Sequence, residues 1–539
     1  MSQSRVKNSA RNIFWGMAYK LIAVVLPFFS RTIIIRWIGI EYAGISSLFT
    51  SIISILSLTE LGFNTAILYS MYKTVAVGDT DKTNALLNFY KKAYRVVAFL
   101  VLAIGSLLCI KIDLFISGDI PSDINIYAIY IIFLLTSASS YSFFAYTAVL
   151  LLAHQREDIS HRINIIVSLC REVIQLALLI IFRNYYFYIS VALVASIVHN
   201  LVSFFVVRKK YPVYKAKGIL TKDEKRSLRK SVSGLMIGKM SVVSRNSFDS
   251  IVISSFLGII ATAIYNNYYY IMFSVFGLIY YFCSGLRTSV GNKIATDSPN
   301  NNYEDMMKFS LGFFVIACFC SAIMLSLFQP FMILWVGEEY TAEWTLPVLM
   351  VVYFFLYCST GIISQYWEGS GLFWENKTRY IIEAAANLGL NILLGFYFGL
   401  NGIILATIIT MFLSSNIWGP IILFKHYFQG CSLGKYLFNQ LYYSLIVFGV
   451  CLMSFSISER LLVSGFIGLV YRVAISVSIS AFLIPVMLFW TKEFNQIVIF
   501  AKSIIGKYKK LSFKTIVVTL YSVLIVADIA LFVCYFLFL

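Results

Sequence analysis

The sequence predicts an all-α integral membrane protein, and three observations support this fold class. Hydrophobic residues make up 60% of the chain and charged residues only 13%, whereas a water-facing surface needs many more polar groups. The apolar residues gather into runs of about twenty, the length at which a helix crosses a bilayer. Lys and Arg concentrate in alternate short loops, the pattern that orients membrane helices.

The apolar runs predict fourteen or fifteen transmembrane helices. The expected spans are residues 12–38, 43–70, 91–113, 124–152, 159–182, 186–208, 230–257, 260–290, 307–336, 345–371, 376–398, 401–427, 435–457, 463–490 and 515–539. The basic loops lie on the side of the N-terminus, and an acidic loop at Glu338 lies on the opposite side. We therefore expect a cytoplasmic N-terminus, because basic loops stay in the cytoplasm.

A weak internal duplication divides the first twelve spans into two copies of six. Gly258 falls 219 residues after Gly39 in matching apolar segments, and Asn387 falls 216 residues after Arg171. An even number of spans in each copy predicts parallel repeats, with a transport site at their interface. The expected domains are an N-lobe at 1–208, a basic linker at 209–229, a C-lobe at 230–427 and C-terminal helices at 428–539.

The net charge of +18 does not indicate nucleic-acid binding in this chain. The basic residues are spread over short loops, where they orient spans and contact anionic lipids. None of the nine cysteines has metal-ligand spacing with the four histidines, so we expect neither a metal site nor a cofactor.

Charged and amide side chains inside the spans are the candidate functional residues, since lipid penalises an ionised group there by about 2.5–3.5 kcal/mol. The expected substrate contacts in a cavity are Lys20, Arg31, Arg171, Lys239, Arg245, Asp249, Arg287 and Asn387. Cationic groups outnumber the carboxylates of these spans, and the guanidinium fork of Arg suits phosphate oxygens. An acidic cargo is therefore expected, and no catalytic chemistry.

Each candidate also has a structural interpretation. Lys20 and Arg31 lie near one helix face and either line a cavity or extend to the headgroup layers. Arg245 and Asp249, four residues apart, form either a pair that locks two helices or, as we favour, a polar wall of an aqueous chamber. For Asn387, helix packing is favoured over ligand contact. Further along, Arg472 and Asp528 are expected to pair with each other, away from the site.

Several short sequence motifs lie along the first twelve spans. They are Phe28-Phe29-Ser30-Arg31, Ile38-Gly39-Ile40-Glu41-Tyr42-Ala43-Gly44, Leu58-Thr59-Glu60-Leu61-Gly62-Phe63, Asn246-Ser247-Phe248-Asp249 and Asn387-Leu388-Gly389-Leu390-Asn391. Together they resemble the polysaccharide repeat-unit flippases of the Wzx type. Members of that family commonly have fourteen spans, so the apolar run at 515–539 is a departure.

The resemblance implies two six-helix lobes with alternating access, in a bacterial plasma membrane. The implied cargo is an oligosaccharide linked by pyrophosphate to a polyprenol, moved from the cytoplasmic to the outer leaflet. Membrane lipids and a polysaccharide polymerase are the other implied partners, and Arg31, Lys239 and Arg245 are the implied cationic contacts. The related lipid II flippases and multidrug cation exporters are the alternatives, while a membrane glycosyltransferase would need an acidic catalytic motif that the sequence lacks.

Overall fold

A computed structural model of the chain describes residues 2–57, 63–118, 120–283, 285–460, 463 and 465–499. These residues form helices and no strand, which confirms the predicted all-α fold. Eleven helical segments among them are long and apolar enough to cross a membrane, so the chain is a multi-pass membrane protein. The predicted span at 515–539, with Asp528, lies outside the described residues.

The helices follow the predicted apolar runs closely. In the first half they are α1 (Ser2–Trp37), α2 (Ile40–Leu56), α3 (Phe63–Ala76), α4 (Thr80–Cys109), α5 (Ile126–Ser140), α6 (Val149–Ala153), α7 (Glu157–Phe182) and α8 (Tyr185–Lys210). In the second half they are α9 (Lys222–Cys283), α10 (Gly285–Thr296), α11 (Pro299–Val336), α12 (Thr345–Gly369), α13 (Lys377–Met411), α14 (Gly419–His426), α15 (Leu433–Ser458) and α16 (Gly465–Leu488). A π-helix at Phe412–Trp418 joins α13 to α14.

The predicted second span, 43–70, is not one continuous helix. Helix α2 ends at Leu56, and the backbone N–H of its C-cap residue Ser57 bonds the carbonyl of Ile53. Helix α3 begins again at Phe63. The α-helix therefore ends inside the predicted span, and residues 58–62 lie outside the described part of the chain.

The basic linker is partly helical, because α9 begins inside it. Thr221 and Glu224 form a capping box at this helix start: the Thr221 N–H donates to Glu224 Oε2 at 3.0 Å, and the Glu224 N–H donates to Thr221 Oγ1 at 3.3 Å. Lys82 of α4 pairs with the same carboxylate at 2.6 Å. The hydrogen bonds from Lys82 and Thr221 lower the pKa of Glu224 to about 2.

The described residues form two compact units. One unit comprises Met1–Gly285 with Gly371–Ile422, and it therefore holds α1 to α9 and α13. The other comprises Leu286–Ser370 and the described residues from Leu423 onward, and it holds α11, α12, α15 and α16. The predicted lobes at 1–208 and 230–427 group the helices in a different way and stay a prediction.

Sharp corners in the helical chain repeat in agreement with the predicted duplication. Two of them are kinks inside long helices, at Gly258 of α9 and Gly399 of α13, each of which therefore has two helical segments. Gly39 has φ 124° and ψ 159°, and Gly258, its equivalent, has φ 91° and ψ 176°. This backbone region is essentially restricted to glycine, which explains the residue type at both corners. Two further pairs of equivalent corner residues also have positive φ, namely Gly118 with Gly337 and Arg183 with Gly399.

Candidate functional site

A cavity of about 320 Å³ lies inside the first compact unit. Helices α1, α2, α5, α7 and α8 supply its walls, and Tyr270 of α9 completes them. The polar and charged lining includes Ser30, Arg31, Ser46, Arg171, Glu172 and Gln175. This volume falls at the lower end of the range of about 300–1,000 Å³ that is usual for small-molecule sites.

Arg31 is fixed on the cavity wall by three hydrogen bonds. Its Nε donates to Asn267 Oδ1, its Nη1 to Ser47 Oγ at 3.2 Å, and its Nη2 to the carbonyl of Ala263 at 3.2 Å. Asn267 and Ala263 belong to α9, so contacts between α1 and α9 orient the guanidinium. Because Arg carries five N–H groups, donors remain for a ligand in the cavity.

Arg171 and Glu172 form the second charged part of the wall. Arg171 Nη2 donates to Glu172 Oε2 at 3.3 Å, and Glu172 is buried. The other carboxylate oxygen, Glu172 Oε1, and the Arg171 Nε are buried and make no hydrogen bond with any described residue. Nearby, Gln175 Nε2 donates to the carbonyl of Tyr188 at 2.8 Å. Buried polar atoms without a hydrogen-bond partner are uncommon in proteins, so the ion pair of Arg171 and Glu172 is an unusual feature beside the cavity.

The cavity carries a net positive charge. Arg31 and Arg171 contribute two cations to the lining, against the single carboxylate of Glu172. Ionised side chains inside a membrane protein face the interior of the helix bundle or a water-filled cavity, where they can meet water or a ligand. An anionic or strongly polar ligand is the chemistry that fits this wall.

A second polar cluster, between α9 and α13, is filled by its own side chains. Asp249 is fully buried and accepts hydrogen bonds from Tyr265 at 2.7 Å, from Asn391 at 2.7 Å and from Thr407 at 3.0 Å. Asn387 donates to Thr407 Oγ1 at 3.0 Å. In this structure Asn387 therefore joins two helical segments by a hydrogen bond.

Arg245 is buried one turn away and donates to Glu383 Oε1 at 2.7 Å. Arg379 lies 3.6 Å from the second oxygen of Glu383, which also accepts from Ser414 at 2.6 Å. Arg379 Nη1 donates to Ser414 and Ser415 of the π-helix. The sequence suggested two arrangements, a pair between Arg245 and Asp249 or a chamber wall that contains both residues. It did not predict that Glu383 is a partner of Arg245 in a buried cluster.

The remaining predicted contacts lie elsewhere. Lys20 Nζ packs against α9 at Gly277, where a Cβ would come within 2.9 Å of it. The side chains of Lys239 and Arg287 are outside the described part of the structure. Arg472 pairs with Glu459 at 2.7 Å, and its expected partner, Asp528, lies outside the described residues.

Of the eight predicted residues, Arg31 and Arg171 line the cavity. Sequence reasoning counted Glu172 among the carboxylates of the spans but did not place it in the site, although a carboxylate beside an arginine inside an apolar span is a detectable signal. It also missed Tyr188 and Tyr270, for which no signal exists because the spans are rich in aromatic residues.

The fold is that of a known class of membrane transporters. A solved structure of the lipid II flippase MurJ in an inward closed conformation matches 88% of this chain and 98% of its own, with 15% identity and a TM-score of 0.64. An inward-facing multidrug resistance MATE family transporter of the MOP superfamily matches 78% of this chain and 100% of its own, with 12% identity and a TM-score of 0.58. The Vibrio cholerae MATE transporter VcmN, in a mutant form, matches 79% of this chain and 100% of its own, with 14% identity and a TM-score of 0.55.

Residues 9–286 match the family of polysaccharide biosynthesis proteins. This match covers more than half of the chain, and the protein therefore belongs to that family. Among curated proteins, none matches the chain significantly.

Proposed function

We propose that this protein is a flippase for lipid-linked oligosaccharides. Its cargo would be an oligosaccharide repeat unit on a polyprenyl pyrophosphate, moved from the cytoplasmic to the outer leaflet of a bacterial plasma membrane for surface polysaccharide synthesis. The observation that carries the proposal is a cavity with net positive charge within the membrane-spanning helices of a polysaccharide biosynthesis family member. The N-terminus is proposed to face the cytoplasm.

The physical task of such a flippase is to replace water around a polar head while the head crosses hydrocarbon. The N–H groups of Arg31 that remain after its three protein hydrogen bonds suit pyrophosphate oxygens. The prenyl chain can stay in lipid, because it needs no polar partner. Alternating exposure of the cavity to the two leaflets then completes the transfer without covalent chemistry.

The other predicted contacts belong to the same proposal. Arg245, Asp249 and Asn387 are buried here and would meet cargo only in a different conformation of the transport cycle. Lys20, Lys239 and Arg287 are proposed contacts of the same cargo. A polysaccharide polymerase is proposed as the protein that uses the flipped product.

A lipid II flippase is the second candidate, favoured by the fold similarity to MurJ. Its cargo has the same pyrophosphate chemistry, so the cavity does not distinguish between the two. An exporter of organic cations fits less well, because the net charge of the lining would repel its cargo.

The test is translocation in proteoliposomes of purified protein, with polyprenyl-pyrophosphate-linked oligosaccharide in one arm and lipid II in the other. Outer-leaflet glycan is measured with a membrane-impermeant glycosidase. Arg31→Gln should lower the rate about tenfold or more, since a hydrogen bond to a charged group contributes about 1.5–3 kcal/mol. The control is Arg95→Gln, which removes the same charge from an exposed position on α4.

Translocation of the oligosaccharide lipid, lost in Arg31→Gln and kept in Arg95→Gln, supports the proposal. Translocation of lipid II alone assigns the second candidate. Wild-type protein that moves neither lipid contradicts the flippase function.

A further inference from the structure

Three arginine side chains lie around Asp158 at the start of α7, away from the cavity. Arg156 donates from Nε and Nη2 to the two carboxylate oxygens, at 2.9 and 3.2 Å. Arg11 Nε lies 2.9 Å from Asp158 Oδ2, and Arg162 Nη2 lies 3.8 Å from the same oxygen. We name Arg11, Arg156 and Arg162 the arginine cluster.

Asn12 of α1 fixes the backbone beside the arginine cluster. Its Nδ2 donates to the carbonyl of Gln155 at 3.1 Å, and its Oδ1 accepts from the N–H of Asp158 at 3.0 Å. Both contacts join α1 to the turn that precedes α7. The packing of α1 against α7 therefore brings the arginines together, in addition to their attraction to the carboxylate.

The arginine cluster carries more charge than Asp158 neutralises. Three guanidinium groups stay protonated in proteins, and Asp158 supplies one negative charge. Lys210, at the end of α8, repels Arg156 and Arg11 electrostatically. Glu157 precedes Asp158 and is exposed to solvent. With Glu157 counted as well, these residues have a net positive charge.

The arginine side chains are accessible, whereas the carboxylate is not. The side chains of Arg11, Arg156 and Arg162 are 29%, 26% and 45% exposed, and that of Asp158 is 0% exposed. The Arg162 guanidinium lies over the ring of Trp15, 4.5 Å from its centroid. Its separation of 3.8 Å from Asp158 exceeds a hydrogen bond. The carboxylate therefore does not use the N–H groups of Arg162.

The arginine cluster lies at the level expected of lipid headgroups. The apolar spans of α1 and α7 begin at Phe14 and Glu157, next to the arginines in sequence. Phe14 is 65% exposed, and Trp15 is of a residue type enriched at membrane interfaces. Asp158 and Arg171 are thirteen residues apart on α7, so about 20 Å of helix separates the arginine cluster from the charged wall of the cavity.

We propose that the arginine cluster is a binding site for the phosphate group of a membrane lipid. A phosphate offsets the excess positive charge, and its oxygens accept pairs of hydrogen bonds from planar guanidinium groups. Two kinds of lipid supply this chemistry, an anionic glycerophospholipid and a polyprenyl pyrophosphate. The inference does not depend on the proposed flippase function, because it concerns binding at the membrane surface rather than translocation.

The experiment measures lipid binding to the purified full-length protein in detergent by native mass spectrometry. The first pair of probes is phosphatidylglycerol and the diacylglycerol with the same acyl chains. The second pair is polyprenyl pyrophosphate and the corresponding polyprenol. The second pair is measured in Arg31→Gln protein, since this change removes the proposed phosphate contact in the cavity.

We expect the phosphorylated lipid of at least one pair to bind about tenfold more tightly than its phosphate-free partner. Arg162→Gln should reduce this preference about tenfold, because it removes a charged hydrogen-bond donor. The matched control is Arg183→Gln. Arg183 is exposed and lies over the ring of Trp37 at 5.3 Å, at the opposite ends of α1 and α7. This control should keep the preference of the parent protein.

The two pairs of probes identify the source of the phosphate. A preference in the first pair alone assigns a glycerophospholipid, one in the second pair alone assigns the polyprenyl lipid, and both together assign a site that recognises phosphate on either lipid. Equal binding within both pairs overturns the inference.

The variants locate the site. A preference that Arg162→Gln leaves unchanged, or that Arg183→Gln lowers equally, also overturns the inference. If Arg162→Gln does not fold, judged by size-exclusion chromatography, Arg162→Met decides, since its unbranched side chain can still pack on Trp15. An unchanged preference in Arg162→Met contradicts the site, and a tenfold loss supports it.

Discussion

Glu383 is the residue on which the buried charge cluster of α9 and α13 depends most. Its carboxylate lies 2.7 Å from Arg245 and 3.6 Å from Arg379, and it accepts from Ser414 at 2.6 Å. Glu383→Gln keeps the side-chain shape and removes the negative charge that the two buried arginines share. Removing one partner of a buried ion pair destabilises proteins by about 3–5 kcal/mol, and we expect a loss in that range.

Removing the other partner, Arg245, should lower the free energy of unfolding by less. In Arg245→Met the Glu383 carboxylate keeps Arg379 and Ser414 as partners. It is therefore not left uncompensated, and its lost charged hydrogen bond should cost about 1.5–3 kcal/mol. The order of the two effects follows from the sharing of one carboxylate between two guanidinium groups. A cluster held mainly by the Arg245–Glu383 pair would show equal losses.

The assay is equilibrium unfolding of purified protein in mixed detergent micelles, followed by tryptophan fluorescence. The control, Glu339→Gln, removes an exposed carboxylate and should change the unfolding free energy by less than about 0.5 kcal/mol. Two results would refute the idea that Arg245 and Arg379 share the Glu383 carboxylate. One is a Glu383→Gln variant as stable as this control, and the other is a Glu383→Gln variant more stable than Arg245→Met.

Two further predictions concern helix packing and pH. A Cβ at Gly44 would lie 2.3 Å from the carbonyl oxygen of Ile259, so Gly44→Ala should lower stability by about 1–3 kcal/mol, and a melting temperature equal to wild type would contradict the close approach of α2 to α9. The salt bridge with Lys82 lowers the pKa of Glu224 to about 2, so its contribution is present above the ordinary Glu pKa, near 4.5, and is lost as pH falls toward 2. Glu224→Gln should therefore lower stability at pH 7, by less than about 1 kcal/mol because the pair is partly exposed, and should have a progressively smaller effect as the pH falls below 4.5. A difference that persists unchanged through this range would remove the ion pair from the explanation.

The sequence predicted the helices well, because hydrophobic run length and glycine corners are local properties. The offset between Gly39 and Gly258 was detectable from side-chain patterns alone, and the backbone has the same unusual conformation at both positions. The break between α2 and α3 was not predicted, because the hydropathy of the flanking segments outweighs a few polar residues.

The site was less predictable, because partner choice among buried charges is a property of packing between helices. Arg245 and Asp249 share one helix face, and their spacing fitted either a mutual pair or the polar chamber wall that we favoured. In the structure α13 brings Glu383 to Arg245 and brings Asn391 to Asp249. Arg31 and Arg171 are 140 residues apart in the chain, and the packing of α1 against α7 places both on one cavity.

The central claim is that the cavity beside Arg31 holds the phosphorylated head of a lipid. The most direct measurement is an experimental structure of the wild-type protein with bound polyprenyl pyrophosphate. The account predicts phosphate oxygens within hydrogen-bond distance of the Arg31 guanidinium, with the prenyl chain in lipid. A lipid bound with its phosphates elsewhere, and Arg31 retaining only its contacts to Asn267, Ser47 and Ala263, would contradict it.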